Sequence, residues 1–448
     1  MYKAPLIVQT SPAKRHIGTT RLDQRQKMDV IVINGGKALE GTVAVSGAKN
    51  AALPLLFASL LAEGEHTFHN VPRLKDIDST ELLLNHLNCA TRRVGNQLKV
   101  TVNRPNSFVA PYDIVRKMRA SILCLGPLLA RYGKAKVSLP GGCAIGSRPI
   151  NMHIEPLLQL GAKIEIENGY VIAQTGKLVG DRIVFEKVTV GGTENIMMAA
   201  TLARGTTVLE NAAMEPEIAD LAHCLQKMGA RIEGEGSSVI SIEGVDELHP
   251  CEHGVIPDRI EAGTLLISGA ITGGDVRVEQ CVPGDIQTLI MKMRESGFDL
   301  ETGEDWVRVK PCDGWTAVDI DTAPHPGFPT DLQAQFMALM TQASGTSVIT
   351  EQIFENRFMH VQELVRMGAN ITQKSQVAVV HGNPGELGGA PVMATDLRAS
   401  ACLVLAGLAA TGETVVNRIY HLDRGYDHLE KKLQGLGARI ERHSEMHT

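Results

Sequence analysis

One unit recurs six times along this chain, and that recurrence constrains the fold more than any single motif. A turn glycine followed by a β-patterned run stands at Gly64, Gly133, Gly205, Gly274, Gly345 and Gly412, at successive separations of 69, 72, 69, 71 and 67 residues. A second mark follows each one, a helical pattern closed by a small-residue stop and then a further strand. It stands at Leu160-Gly161-Ala162, Met228-Gly229-Ala230, Ser296-Gly297, Met367-Gly368-Ala369 and Leu436-Gly437-Ala438, with Leu87-Asn88 as a degenerate first copy. Glycine just past a last helical turn is the common stop, because it enters the left-handed backbone region without steric penalty. Ahead of each turn glycine lies an apolar stretch of about three helical turns, over 51–62, 120–132, 195–204, 263–272, 332–344 and 399–411. Several are apolar on every side, which predicts helices enclosed by other structure. Each unit therefore reads helix, strand, helix, then one or two strands, the signature of a repeat architecture in the α/β class.

The register isolates two departures from plain scaffolding. The distance from turn glycine to helix stop is 23–25 residues in five units but 28 in the second, from Gly133 to Gly161. The surplus falls in Ser138–Pro149, a glycine-rich loop that carries Cys143 and Arg148. Insertions in repeat folds map to loops on one face, often the binding face. Glycines let backbone N–H groups approach an anion, a guanidinium matches carboxylate or phosphate, and a thiol beside both can be nucleophile or proton donor. The second departure is the position fourteen residues before each turn glycine, at the start of the apolar helix. It holds Asn50, Arg119, Gly191, Ile260, Asp331 and Arg398, with Lys49 beside the first. Packed in parallel, such helices would point their N-termini, with free N–H groups and positive dipole ends, to one face. Asparagine and aspartate there could be ordinary caps, but arginine at a helix start opposes the dipole and needs another reason. A shared anion-binding face supplies one.

Bulk properties narrow the partners. A chain of 448 residues, 44% apolar and 21% charged, has ample core for two or more domains. A net charge of −6 offers no basic field for nucleic acid, so an anion site must be a local cluster. The eight cysteines, at 89, 124, 143, 224, 251, 281, 312 and 402, form no C-x-x-C pair and mostly sit in apolar runs. That pattern reads as reduced, buried thiols in a cytoplasmic protein, with neither a disulfide framework nor a metal knuckle. The longest apolar runs are too short to span a bilayer, so no membrane association is expected. Residues 1–27 are polar, lack the apolar run of a secretory signal, and read as a disordered or non-native extension. No G-x-G-x-x-G follows the first strand, and Gly141-x-x-x-x-Gly146 continues with Ser147 rather than the lysine of a phosphate-binding loop, which argues against dinucleotide oxidoreductases and P-loop kinases. A cysteine hydrolase would need a paired histidine that spacing does not reveal, and a catalytically silent binding module stays open at this level.

Longer matches then identify a family. Ser46-Gly-Ala-Lys-Asn-Ala-Ala-Leu-Pro54, Leu139-Pro-Gly-Gly-Cys-Ala-Ile-Gly-Ser-Arg-Pro149, Thr322-Ala-Pro-His-Pro-Gly-Phe-Pro-Thr-Asp331, Phe354-Glu-Asn-Arg-Phe-Met-His360, Ala394-Thr-Asp-Leu-Arg-Ala-Ser400 and Ile419-Tyr-His-Leu-Asp-Arg-Gly-Tyr426 closely resemble the enolpyruvyl transferase family, in order from about residue 28 to 442. The cysteine loop and the Asp331 segment resemble its bacterial cell-wall branch more than its shikimate-pathway branch. The resemblance implies two inside-out α/β-barrel domains of three helix-strand-helix-strand repeats each, over 49–256 and over 28–48 plus 257–448, with substrates in the cleft between them. It implies transfer of enolpyruvate from phosphoenolpyruvate to the 3′-hydroxyl of UDP-N-acetylglucosamine, releasing phosphate through a tetrahedral intermediate, in the first committed step of peptidoglycan synthesis, with no cofactor and no metal. Carried over residue by residue, it makes Cys143, Asp331, Lys49 and Arg424 catalytic, and gives phosphoenolpyruvate to Lys49, Asn50, Arg148, Arg398 and Arg424. It gives the nucleotide sugar to Asn50, Arg119, Arg148, Pro149, Ile150, Asn151, Met152, Lys187, Val188, Thr189, Val190, Asp331 and Ile353. It further implies alkylation of Cys143 by the epoxide fosfomycin. His153 reads as a structural histidine, Ile353 as equally a core residue, and Asp396 as a group that orients Arg398. The oligomeric state is left open.

Overall fold

The computed structural model describes residues 28–139 and 150–445. Residues 1–27, and with them the expected extension, lie outside the described residues, as do Cys143, Arg148 and Pro149.

The six units fold as six four-stranded sheets of one pattern. In the third, Arg182–Val184 runs parallel to Thr206–Glu210, which pairs antiparallel with Val239–Glu243, itself paired with Arg231–Glu233. Alternation is what makes these segments strands. In Asp275–Glu279, Val276 and Val278 are buried while the charged residues between them face outward. The sheets differ in where the strands come from. Glu252–Gly254 returns to complete the first, Glu40–Ala44 completes the fourth, and Met28–Asn34 lies inside the sixth, between Glu413–Asn417 and Arg439–Glu445.

The sheets wrap the apolar helices, which is why those helices need no polar face. The first three, Lys49–Ala58, Leu125–Tyr132 and Val190–Ala200, pack together, as do Arg259–Ile271, Gln333–Thr341 and Leu397–Ala409. In the last of these every residue from Arg398 to Leu408 is buried. Two hydrophobic cores result, one spanning Ala48 to Val255 and the other joining Ile31–Val45 to Ile260–Ile440. The chain passes between them twice, and the two crossings pair antiparallel. Ala48 N–H donates to the Ile256 carbonyl at 2.7 Å, and Asp258 N–H donates to the Ser46 carbonyl at 2.9 Å.

All six helix stops are left-handed, the degenerate Asn88 included (φ 69°), since asparagine tolerates that region best after glycine. The fourth turn departs from expectation by one residue. Gly273 takes the positive φ of 64°, while Gly274 is needed because a side chain there would overlap the Leu39 carbonyl. Among the described residues no helix is long and apolar enough to cross a membrane.

Candidate active site

All six predicted positions fall at helix starts, Gly191 and Ile260 as the second residues of Val190–Ala200 and Arg259–Ile271, and three of them, Asn50, Asp331 and Arg398, meet at a seam between the two cores. Asn50 is the second residue of Lys49–Ala58, Arg119 opens the 3-10 turn Arg119–Cys124, Asp331 sits in the turn Thr330–Leu332 ahead of Gln333–Thr341, and Arg398 is the second residue of Leu397–Ala409. Arg398 is almost fully buried, and its guanidinium Nη2 donates to Asp331 Oδ2 at 2.7 Å. Arg357 Nη2 donates to Asp331 Oδ1 at the same distance, while Arg357 Nη1 donates to Thr330 Oγ1. From the other core, Asn50 Nδ2 reaches Asp331 Oδ2 at 3.5 Å. Burial alone would raise the Asp331 carboxyl, but Arg398 and Arg357 together hold it well below the usual carboxylate range.

A second ion cluster spans the same seam. Lys49 Nζ donates to Asp76 Oδ2 at 3.3 Å, and Arg424 Nε donates to Asp76 Oδ1 at 2.9 Å, so one buried carboxylate holds a cation from each half. Burial lowers the Lys49 ammonium from its ordinary value; Asp76 opposes that, and the nearby Arg398 and Arg424 push it down further. Lys49 is placed from behind as well. Asp258 Oδ1 accepts from Ile260 and Glu261 N–H at 2.8 and 3.0 Å, capping Arg259–Ile271, while Asp258 Oδ2 accepts the Lys49 N–H at 3.2 Å. One carboxylate thus fixes two helix N-termini, one from each core.

The remaining predicted residues separate into two groups. Ile150, Asn151 and Met152 start the helix Asn151–Gln159, with Asn151 exposed, and Lys187 is exposed ahead of half-buried Val188, Thr189 and Val190. Thr189 caps Val190–Ala200 by accepting the Gly192 N–H at 3.1 Å. Ile353 is half-buried in a turn where its N–H donates to Glu351 Oε1 at 2.9 Å, and it belongs to neither core, so packing does not account for it. His153 is structural. Asn195 Oδ1 is taken by the Gly126 N–H at 2.8 Å, so its amide nitrogen donates to His153 Nδ1 at 3.1 Å and the ring proton resides on Nε2. Burial, with Arg119 alongside, pushes the His153 ring down to about 4. Asp396 positions Arg398 as expected, through the backbone rather than the guanidinium. Its carboxylate accepts the backbone N–H groups of Arg398 and Ala399 as a helix cap, and Asp331 is what holds the Arg398 guanidinium.

Asp76, Arg357 and Asp258 were not singled out from sequence. Arg357 lies inside the matched segment 354–360, and Asp258 stands before an apolar helix where a cap is expected. Asp76 is one of two acids in the first turn of Lys75–His86, which the helix dipole favours anyway, so nothing local marked it.

The chain matches the family model described as EPSP synthase (3-phosphoshikimate 1-carboxyvinyltransferase) over residues 33–433. It belongs to the enolpyruvyl transferase family. Within that transferase family, the protein named UDP-N-acetylglucosamine 1-carboxyvinyltransferase in Bdellovibrio bacteriovorus is 67% identical over 412 residues, covering 92% of this chain and 100% of that protein. The protein of the same name in Geobacter metallireducens is 56% identical over 418 residues, covering 93% and 100%. Among solved structures, the enolpyruvyl transferase NikO from Streptomyces tendae aligns with a TM-score of 0.83 at 24% identity, over 94% of this chain and 100% of that one. EPSP synthase from Acinetobacter baumannii aligns at 0.72 with 18% identity, over 93% and 100%. These two likenesses establish the enolpyruvyl transferase fold.

Proposed function

We propose that this transferase moves the enolpyruvyl group of phosphoenolpyruvate to the 3′-hydroxyl of UDP-N-acetylglucosamine, releasing phosphate, in the first committed step of peptidoglycan synthesis in the cytoplasm. The observation that carries the reading is the convergence of Lys49, Arg398 and Arg424 on one seam with Asn50 and the Asp331 carboxylate, in a chain whose relatives carry that enzyme's name. Phosphoenolpyruvate brings a phosphate and a carboxylate, and these cations, with Arg148, suit both. Asp76 and Asp331 counter these cations, and the substrate's anionic groups compete with the two carboxylates for them. The two cores act as domains over 49–256 and over 28–48 plus 257–448, with the seam as the cleft.

In the addition step the sugar 3′-oxygen bonds to C2 of phosphoenolpyruvate while C3 gains a proton from Cys143. In elimination C3 returns a proton to the Cys143 thiolate and the C2–O bond to phosphate breaks, forming the enol ether of the product. Asp331 orients the 3′-hydroxyl and takes its proton. Doubly held by arginine it is a weak base, and engagement of Arg398 by the substrate removes one counter-charge and raises its basicity. The nucleotide sugar lies against Arg119, Ile150–Met152 and Lys187–Val190, where the N-terminus of Val190–Ala200 faces its phosphates, with Ile353 as an apolar contact. The atom balance requires neither metal nor cofactor.

Phosphate release with both substrates tests the reading. Wild type releases phosphate only when both are present and not with shikimate 3-phosphate as acceptor, while Cys143→Ala and Asp331→Ala each lose on the order of 10²–10⁴ in rate. No phosphate from wild type overturns the proposal. Cys143→Asp, an acid that forms no thioether, retains turnover if the thiol acts as proton donor.

A further inference from the structure

Two buried thiols meet outside the ion clusters of the seam. Cys224, on helix Pro216–Lys227, places its sulfur 3.5 Å from that of Cys251, the residue just before strand Glu252–Gly254. Cys224 is fully enclosed and Cys251 is 9% exposed, so Cys251 is the less buried of the two. The hydrogen bond from the Cys224 thiol lowers Cys251 from the ordinary thiol range; burial opposes this, and His66 and His253 beside the sulfur add to the lowering. The same bond, together with burial, raises Cys224. His253 is itself fixed, with Nε2 2.8 Å from Asp220 Oδ1. One low thiol on the less buried side, 3.5 Å from a high thiol, is the arrangement of an attacking sulfur and its resolving partner.

Other readings fit less well. Cysteine beside histidine suggests a metal, yet among the described residues no group of three or more His, Cys, Asp or Glu is arranged to hold one. The thiols of Cys89, Cys124, Cys281 and Cys402 are all pushed up by burial, which makes them inert packing groups.

We infer that Cys224 and Cys251 form an oxidation site, a reversible disulfide made by reaction with a peroxide. The Cys251 thiolate attacks one peroxide oxygen, the O–O bond breaks, and the leaving hydroxide takes up the proton the thiol released, giving a sulfenic acid on Cys251 and water. The Cys224 sulfur then attacks the Cys251 sulfur and gives up its proton; the S–O bond breaks and a second water leaves. Two thiols thus surrender two electrons and two protons to one peroxide molecule. The sulfurs close from 3.5 Å to about 2 Å. The bond joins a helix whose Glu217 accepts from Arg259 Nε of the other core at 3.0 Å to the strand that leads directly into the crossing at Val255–Asp258. Oxidation therefore staples together two of the elements that connect the halves.

The test uses the whole wild-type protein, treated with a small molar excess of hydrogen peroxide, digested without reduction and analysed by mass spectrometry. The expected product is a peptide pair joined through Cys224 and Cys251, two hydrogens lighter than the sum of its parts and separated by dithiothreitol. In Cys224→Ala, peroxide with dimedone should label Cys251, because the sulfenic acid has lost its resolving partner. Recovery of Cys224 and Cys251 as free thiols while other cysteines are consumed would overturn the proposal. So would cross-linking of either to a different cysteine, or a Cys251 that takes no dimedone in the variant.

Discussion

Replacing His153 by asparagine should make the protein less sensitive to mild acid, by an amount the structure sets. The ring is buried, accepts from Asn195 at Nδ1, and is held down at about 4 against an ordinary 6.5 by burial and by Arg119. Between those values the unfolded chain binds a proton that the folded chain refuses. Stability is therefore lost as pH falls through 6.5 toward 4, and below that the folded ring also takes its proton. At pH 4.5 the lost stability is on the order of 2–3 kcal/mol relative to neutral pH. Asparagine presents an acceptor where Nδ1 stood, keeps Asn195 paired, and does not titrate. Urea denaturation of wild type and His153→Asn at pH 7 and pH 4.5 should show wild type losing that much ground to the variant. The Cε1 resonance missing from the variant should titrate near pH 4 in the wild-type spectrum. A stability gap that does not change with pH, or a resonance that titrates near 6.5, would refute the reasoning. The outcome also bears on binding, since a neutral His153 adds no charge to the face that Arg119 shares.

Other expectations follow from single contacts. Asp258→Ala removes the cap of Arg259–Ile271 and the acceptor of the Lys49 N–H, costing about 1–3 kcal/mol in urea denaturation and raising KM for phosphoenolpyruvate. Gly161→Ala meets no neighbouring atom but forces an alanine to a φ of 93°, so thermal melting should report about 1–2 kcal/mol of backbone strain alone. Arg357→Lys keeps a charge beside Asp331 but cannot hold it and Thr330 together. The Asp331 carboxyl should then rise, and the acid limb of the kcat/KM profile should move to higher pH.

Much of this molecule is local and therefore readable. The helix stop at Asn88 belongs with five glycines because the same left-handed turn is needed at each, and the enclosed helices declare themselves by lacking a polar side. Lys49, Asn50, Asp331 and Arg398 could be grouped because the repeat register puts them at equivalent helix starts. Arg424 has no such register and was reached through the matched segment 419–426 alone. What escaped depends on pairing at long range. Asp258 reads as a cap, but its hold on the Lys49 N–H crosses 209 positions of sequence. Asp76 looks like any acid in a first turn until Lys49 and Arg424 converge on it. Charges can be counted along a chain, whereas their partners are a property of the fold. For Asp331 the partners weaken the base that the resemblance implies, by clamping its carboxylate between two guanidiniums.

The strand Met28–Asn34 carries a consequence for how the protein is made. Its neighbours in the sixth sheet, Glu413–Asn417 and Arg439–Glu445, leave the ribosome hundreds of residues later. The first core has all its strands once Glu252–Gly254 has emerged, and it can consolidate while synthesis continues. The opening strand waits through 379 further positions, from Asn34 to Glu413, before a partner exists. At ordinary elongation rates that is roughly 20–80 s with an apolar, unpaired strand edge exposed. The second half of the enzyme is thus closed by a strand made long before its partners, and a nascent chain stalled before residue 413 would hold one finished core beside one that cannot yet form.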